Sequence, residues 1–514
     1  MHMHMHAATT ALILLTTTAY SWSDVVRTQP TPPLQEEELW LQVIRTRNTY
    51  GNNPRSPLDL RVTPAHAARG AGQIRLSVIT NVSAPLSNVD TFFEYNAPFN
   101  YRWTNKYLHS ALKPVRPDGS PTTFEINGTT VEISIPAKGS ATIGLMIADP
   151  CFAGAAATCF YADAFQTFDR LTTLVNTLVP KLDYWQILGD NFYDRDGHLT
   201  QAWYDQLTLE VKSTLFATVA GNHDYWGFGD SVIGLDIDQF GNGLMQYYGM
   251  DTVSSVQMSL NKSTYNGSYI DFSINPDNRQ THHHIPPLEN FFTWFGIGNV
   301  GYILYSGGYD YVDSKPYFEQ ACKWLQEEKP DVAFIAGHWN DAGMGCSNKM
   351  DVRTFALLTF FQYFFPMSHF CFLTNFFCLV VSFFAQVPDV YNELRLFEGC
   401  KEMDDAFNLK YIMGHTHCNE VTANDTRTGD GLGFMVAGQG MEGCANFGVP
   451  ILETTETTQD EKGRVELIYY NVQDYHEGSD RYDEILKCFE ENGVKGCKDL
   501  GTVWLNQSIG DTVW

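Results

Sequence analysis

Short apolar runs that stop at a small residue followed by a polar one recur five times in this chain. They are Ile143–Asp149 (IGLMIAD), Tyr184–Asp190 (YWQILGD), Leu215–Asn222 (LFATVAGN), Val332–His338 (VAFIAGH) and Leu409–His415 (LKYIMGH). An apolar run of this length, bounded by turn signals, predicts a buried strand. Between the runs lie helix-compatible stretches such as FDRLTTLVNTLVPKL and PYFEQACKWLQEEKP, the second with a proline at each end. Strands alternating with helices predict an α/β domain, placed at residues 141–480. Two late runs, GFMVAGQG and VELIYYNV, predict further strands. Before residue 141 the pattern is different. IRLSVIT, FFEYNAPF and TFEINGTTVEISIPAKGS are rich in Thr, Val, Ile and aromatics and are punctuated by Gly, Pro and Asn. That predicts a small β-rich domain at residues 71–140. Residues 23–70 read as an extended, Pro-containing lead-in, and 481–514 as a C-terminal segment.

The residues that end the five runs carry the chemistry. In open α/β sheets, ligands bind beyond the carboxyl ends of the strands. Asp149, Asp190, Asn222, His338 and His415 delivered to one edge would make a hard oxygen-and-nitrogen metal site. Singly, each has a plainer reading: Asp190 as a helix cap, Asp149 as a turn former before Pro150, His338 as a satisfied core histidine. Five in order make the shared site the better reading. The run His282–His284 precedes Pro286 and Pro287 in a polar stretch and reads as a solvated loop.

Composition narrows the picture. The 514 residues are too many for one core, so two or more domains are expected. With 59 acidic against 33 basic residues, the net charge is -26, which argues against nucleic acid or anionic membranes as partners. An anionic substrate would then need a strongly positive local site, and bound multivalent cations supply one. Residues 1–22 hold an apolar stretch followed by small residues and resemble a secretory signal peptide, although the leading segment has His instead of Lys or Arg. Six N-x-S/T sequons begin at Asn81, Asn127, Asn261, Asn266, Asn424 and Asn506, which fits a secreted glycoprotein. The 11 cysteines suggest disulfides, with Cys151–Cys159 and Cys488–Cys497 as near-neighbour candidates; the odd count leaves a thiol unpaired within the chain.

Thr354–Gln386 is anomalous: it has no Asp, Glu, Lys or Arg and is crowded with Phe. It is long enough for a transmembrane helix, and it could also be an extra core element or translated intron sequence. The last reading is favoured for residues 352–386. Their removal leaves CSNKMDVPDVYNELRLFEGC, an amphipathic continuation, and shortens the His338–His415 separation from 77 to 42 positions. A membrane span here would also fall between two ligand-bearing strands.

The blocks GDNFYDRDG (189–197), GNHDY (221–225), GHWND (337–341) and GHTH (414–417) resemble those of the calcineurin-like metallophosphoesterases, and GDNFY resembles the purple, tartrate-resistant acid phosphatase branch. The resemblance covers roughly residues 142–450. It implies a two-sheet sandwich flanked by helices and a binuclear centre. Ferric iron would be held by Asp149, Asp190, Tyr193 and His417. A second ion, zinc, manganese or iron(II), would be held by Asp190, Asn222, His338 and His415. Asp190 would bridge the two ions, His223 would meet the phosphate and protonate the leaving oxygen, and Asp224 would orient His223. The first block, ADPC, departs from the GDWG usual in the purple branch and from the DxH of the wider superfamily. Cys151 could supply a donor there only if reduced. Cys418, beside His417, reads as a disulfide partner.

The expectation is therefore a glycoprotein of the secretory pathway, extracellular or lysosomal/vacuolar. It would hydrolyse small phosphomonoesters through a hydroxide on a binuclear metal centre, as an acid phosphatase. Two alternatives stand beside it. One is a phosphodiesterase or nucleotide hydrolase on the same site. The other is an inactive cell-surface binding protein, tethered to a membrane only if 354–386 is a true transmembrane helix. Oligomeric state is not legible.

Overall fold

The computed structural model describes residues 58–81, 99–100, 107–152, 164–194, 197–221, 223–224, 244, 247–253, 292–307, 311–339, 387–436, 446–458, 460–475, 477–510 and 512. They belong to one compact unit, Tyr50–Trp514; the other unit, Met1–Thr49, lies outside the described residues, as do the expected signal peptide, His282–His284 and the hydrophobic stretch 352–386.

The first sheet contains β1 (Leu60–Pro64), β2 (Gln73–Thr80), β3 (Phe99–Asn100) and β4 (Tyr107–Pro114), all antiparallel, in the order β1-β2-β4-β3. Strand β1 lies inside the stretch read from sequence as a lead-in. The reason is burial: all five of its residues are buried, including Arg61, whose guanidinium lies 3.2 Å from the ring centroid of Tyr204. A two-stranded hairpin follows, β5 (Thr122–Ile126) and β6 (Thr129–Ile133).

Next come β7 (Ile143–Ile147), β8 (Tyr184–Ile187) and β9 (Leu215–Thr218), then β10 (Thr293–Ile297), β11 (Val300–Leu304), β12 (Val332–Ala336) and β13 (Leu409–Met413). The five predicted ligand-bearing strands are β7, β8, β9, β12 and β13. Completing the fold are β14 (Glu420–Asn424), β15 (Gly431–Met435), β16 (Asn446–Thr454), β17 (Arg464–Asp474), β18 (Ser479–Asp480) and β19 (Thr502–Ser508). Two mixed sheets result. One runs β18-β17-β16-β7-β8-β9 with β19 paired to β17; the other runs β10-β11-β12-β13-β15-β14. Strands β7, β8 and β9 are parallel neighbours in the first, and β12 and β13 are parallel neighbours in the second. This is the two-sheet α/β architecture expected from the sequence.

The sheets meet through aromatic side chains. Tyr184 of β8 and Tyr302 of β11 share a hydroxyl hydrogen bond of 2.5 Å. The Tyr184 ring lies where a side chain on Gly144 would stand, so β7 needs glycine there. Helices cover the sheets. Helix α1 (Ala164–Leu178) buries Leu171, Leu174, Val175 and Leu178. The helices Tyr311–Glu328, Val387–Leu394 and Cys400–Asp405 pack Phe318, Leu325, Val390, Leu394 and Met403 into one cluster with Ile335 and Tyr411 of the second sheet. Each fully buried side chain of this size contributes about 1.5–3 kcal/mol. The Cys322–Cys400 disulfide joins two of these helices.

Two boundaries differ from the sequence reading. The helix predicted to begin at Pro316 begins at Tyr311, with the proline inside it. Proline's fixed φ is helical, and its loss is one bond back to residue 312, close to the helix start. The predicted C-terminal segment is integral to the sheet domain. Its helix Tyr482–Asn492 is held by the Cys488–Cys497 disulfide and packs against α1, and β19 pairs with β17.

The β-rich N-terminal sheet is fastened to the α/β domain. Arg75 reaches Asp251 at 2.6 Å, Arg69 reaches it at 3.3 Å, and the His66 backbone N–H donates to the same carboxylate at 2.7 Å. Burial works to raise the Asp251 carboxyl, but Arg75 and Arg69 overcome it and hold the group below its ordinary range.

Candidate metal centre

The strand register explains how the ligand residues meet. Ile147, Ile187 and Thr218 are aligned across β7, β8 and β9, and the pairing continues past them through Leu188 N to Ile147 O and Val219 N to Ile187 O. Asp149 and Asp190 therefore leave neighbouring strands at the same edge. In the second sheet Ala336 is aligned with Ile412, and Gly414 N donates to His338 O at 3.2 Å. Parallel strands have all their carboxyl ends on one side, so both sheets open towards a common edge.

Small residues precede the ligands because the chains approach too closely for a side chain. Gly189 has φ +90, and a Cβ on it would stand 2.5 Å from His338 Nδ1. A Cβ on Gly414 would lie 2.7 Å from Asp149 Oδ2. The repeated small-residue-then-ligand pattern is thus a packing requirement of the site.

The ligand residues also share a backbone conformation. Nine non-glycine residues among those described have positive φ, and five of them are predicted ligands: Asp149, Asp190, Tyr193, His415 and His417. Such conformations cost of order 1–3 kcal/mol each and persist where the surroundings enforce them. Here they turn His415 and His417, which alternate in sequence, towards the same centre.

Asp149, Asp190 and His338 each offer an atom within 4.8 Å of the others, and all three are buried. His338 Nδ1 lies 2.8 Å from the Leu188 carbonyl, so this nitrogen carries the proton and donates. That bond crosses from one sheet to the other. Nε2 is left aimed at Asp190 Oδ1 at 3.4 Å and Asp149 Oδ1 at 3.6 Å, without a hydrogen-bond partner. A buried imidazole nitrogen so directed, between two buried carboxylates, fits a cation.

Around this trio stand the other predicted residues. The Tyr193 hydroxyl donates to Asp149 Oδ1 at 3.1 Å and lies 2.9 Å from His417 Nε2. The His415 backbone N–H donates to Asp149 Oδ2 at 3.1 Å, and its ring is 5.1 Å from that of His338. The His223 backbone N–H donates to Asp190 Oδ1 at 2.8 Å, and its ring is 4.8 Å from that of Tyr193. Asn222 lies outside the described residues. Every other predicted site residue is brought to this one edge.

Asp224 is tied into both loops. Its carboxylate accepts from Asn191 N at 2.8 Å, Asn191 Nδ2 at 2.8 Å and Gly221 N at 2.7 Å. It therefore locks the loop after β8 to the loop after β9. The sequence reading missed Asn191, whose side chain also accepts from Thr218 at 3.0 Å. Its place beside Asp190 was the available signal, but the bond is to a residue 33 positions away. Cys151 is disulfide-bonded, which removes it as a donor, and Cys418 is disulfide-bonded as expected.

The buried ionisable groups shift one another strongly. Burial pushes the Asp149 carboxyl up to about 8, with His338 opposing and Asp190 adding to the rise. Burial also works to raise Asp190, but His338 and His223 outweigh it and hold that carboxyl below the usual range. Burial draws His338 down, yet Asp190 and Asp149 dominate and lift it to about 10. Burial, then Asp149 and Asp190, push the Tyr193 phenol well above its ordinary value.

Fold and site together define an α/β protein whose candidate metal ligands stand at strand ends of two sheets. Residues 146–364 match the profile of the calcineurin-like phosphoesterase family. That segment, with the buried Asp149, Asp190 and His338 at its strand ends, is similar to a calcineurin-like phosphoesterase domain. No curated protein sequence matches it. Two solved structures resemble it distantly. One is a purple acid phosphatase isolated from seeds of yellow lupin (Lupinus luteus), at 13% identity and a TM-score of 0.42, covering 83% of this chain and 74% of that one. The other is PhoD, at 11% identity and a TM-score of 0.37, covering 83% of this chain and 92% of that one. Among the described residues, no helix is long and apolar enough to cross a membrane.

Proposed function

We propose that the chain hydrolyses small phosphomonoesters at a binuclear metal centre, as an acid phosphatase of the secretory pathway. The observation that carries this reading is the meeting of Asp149, Asp190 and His338 from two sheets, with His338 Nε2 aimed unpartnered at both carboxylates. The donors fall into two groups. Asp149, Tyr193 and His417 are joined by hydrogen bonds, while His338 and His415 stand ring to ring. Asp190 is the bridging candidate between them, and Asn222 is assigned to the second group. When bound, two such ions supply an activated water and positive charge for the phosphoryl oxygens. Ferric iron is favoured in the first position, because a phenol raised this far by burial and two carboxylates needs a highly charged ion to ionise. The second position suits zinc, manganese or iron(II).

The chain's own residues then complete the chemistry. His223 is held by its backbone to Asp190 and is the candidate to protonate the leaving oxygen, a contribution of about 10²–10⁴-fold. Asp224 and Asn191 position it by fixing the loop. The disulfides fit an oxidising compartment.

The test is metal analysis with hydrolysis of an aryl phosphate monoester and the matching diester, on the parent and Asp190→Asn. Monoester hydrolysis with two metals per chain, both lost in the variant, is expected. Diester hydrolysis alone would exclude the monoesterase, and normal turnover by the variant would exclude the bridge.

A further inference from the structure

Three sequon asparagines fall in fully described segments; the register puts Asn424 and Asn506 at the end of the sheets remote from the candidate metal centre, and helix packing relates the hairpin of Asn127 to the start of β9. Asn506 of β19 is aligned with Glu466, Glu466 with Glu453, and Glu453 with Ile143, the first residue of β7. Asp149 is six positions further along that strand, about 20 Å at roughly 3.3 Å per residue. Asn424 ends β14 opposite Gly431, the first residue of β15. Strand β15 runs parallel to β13, with Tyr411 aligned to Gly433, so Asn424 lies level with the start of β13. His415 is again about 20 Å away by the same spacing. Asn127 is at the tip of the β5–β6 hairpin, and β6 packs against the short helix Leu209–Ser213 that feeds the start of β9. All three asparagines are exposed.

The local chemistry suits modification. Asn127 and Gly128 form the two-residue turn, with φ 50 and φ 76, which turns the amide outward from both strands. The turn accounts for asparagine followed by glycine, but the acceptor Thr129 is additional to it. Asn506 uses its Oδ1 to accept from Arg464. That leaves Nδ2, the atom that would carry a sugar, facing solvent on an outer strand.

We propose that Asn127, Asn424 and Asn506 carry N-linked glycans that cover the end of the two sheets where the strands begin, leaving the ligand edge bare. In this modification the asparagine Nδ2 forms a bond to the anomeric carbon of a lipid-linked oligosaccharide, and the lipid pyrophosphate leaves. The proposal rests on the secretory reading above, since only that compartment supplies the donor.

The experiment is expression of the full chain in a eukaryotic secretory host, followed by peptide-level glycan mapping before and after amidase treatment, which converts a glycosylated asparagine to aspartate. Conversion at all three positions is expected. Thr129→Val, Thr426→Val and Ser508→Ala, which keep each asparagine but remove its acceptor hydroxyl, should each abolish one site. Monoesterase kcat/KM should stay within twofold of the parent. Conversion confined to Asn81, Asn261 or Asn266 would overturn the proposal and leave the secretory reading intact. Absence of any converted asparagine would overturn both.

Discussion

The backbone N–H of Val387 donates to the carbonyl of Trp339 at 2.9 Å, so two residues 48 positions apart are neighbours directly after His338. Whatever lies between them leaves and returns at one point. The family match also ends inside this stretch, at residue 364. Deletion of residues 352–386 is therefore expected to preserve the fold and the metal content. The connection from 340 to 386 would shorten from 47 to 12 residues. Loop-closure entropy makes that favourable by about 1 kcal/mol. Thermal unfolding and metal analysis of the deletion variant check this. A chain that loses its metals on deletion would show the segment to be structural. Transcripts that always retain these codons would exclude an intron origin.

Asp224→Ala removes the acceptor shared by Asn191 N, Asn191 Nδ2 and Gly221 N, leaving buried donors unmatched. Each costs about 1–3 kcal/mol. Chemical denaturation should show a loss of several kcal/mol, with kcat reduced more than KM because the His223 loop is no longer fixed. Asn191→Ala should show a smaller loss of the same kind, as it keeps its backbone donor.

Tyr193→Phe tests the first metal's identity. The hydroxyl lies within reach of both Asp149 and His417, and the ring is buried, so phenylalanine fits the same space. If the parent is purple from a phenolate-to-iron charge-transfer band, the variant should lose the colour while keeping its unfolding temperature within a few degrees. A colourless, metal-loaded parent would remove Tyr193 or iron from the assignment.

The metal-free protein should become less stable as pH rises from about 4 to about 10, first through Asp149 and then through His338. Asp149 moves from 3.8 up to about 8 and His338 from 6.5 up to about 10 on folding. Both are raised, so their contributions are fully present below the unfolded values and are lost as pH climbs through the folded ones. Asp190 is lowered and contributes a constant amount across this window. Because binding requires Asp149 and His338 to be deprotonated, divalent-metal affinity should rise over the same interval with release of protons. Calorimetry in two buffers of different ionisation enthalpy measures that release, and melting curves of the chelated protein measure the stability.

Much of the catalytic half was legible because its grammar is local. Each ligand strand announces itself by a run such as VAFIAG, and the glycine is needed where His338 or Asp149 crowds the backbone. What escaped was non-local. Leu60–Pro64 reads as a lead-in because its burial involves Tyr204, far away in sequence. Asp224 also bonds back to Asn191, 33 positions away, which nothing in its own segment announced. Residues 481–514 read as a C-terminal segment of their own, and within them Thr502–Ser508 extends the sheet that contains β7. A β-edge has no sequence signal for which distant strand it will join.

The bond between His338 Nδ1 and the Leu188 carbonyl makes one imidazole answer to both sheets at once. Its orientation is set by the first sheet and its position by the second, so a small slide between them would misdirect Nε2 before any strand unpaired. Metal retention is thus a gauge of inter-sheet registry. Substitutions at the distant Tyr184–Tyr302 contact would register on it as a faster off-rate for the ion, well ahead of any change in secondary structure.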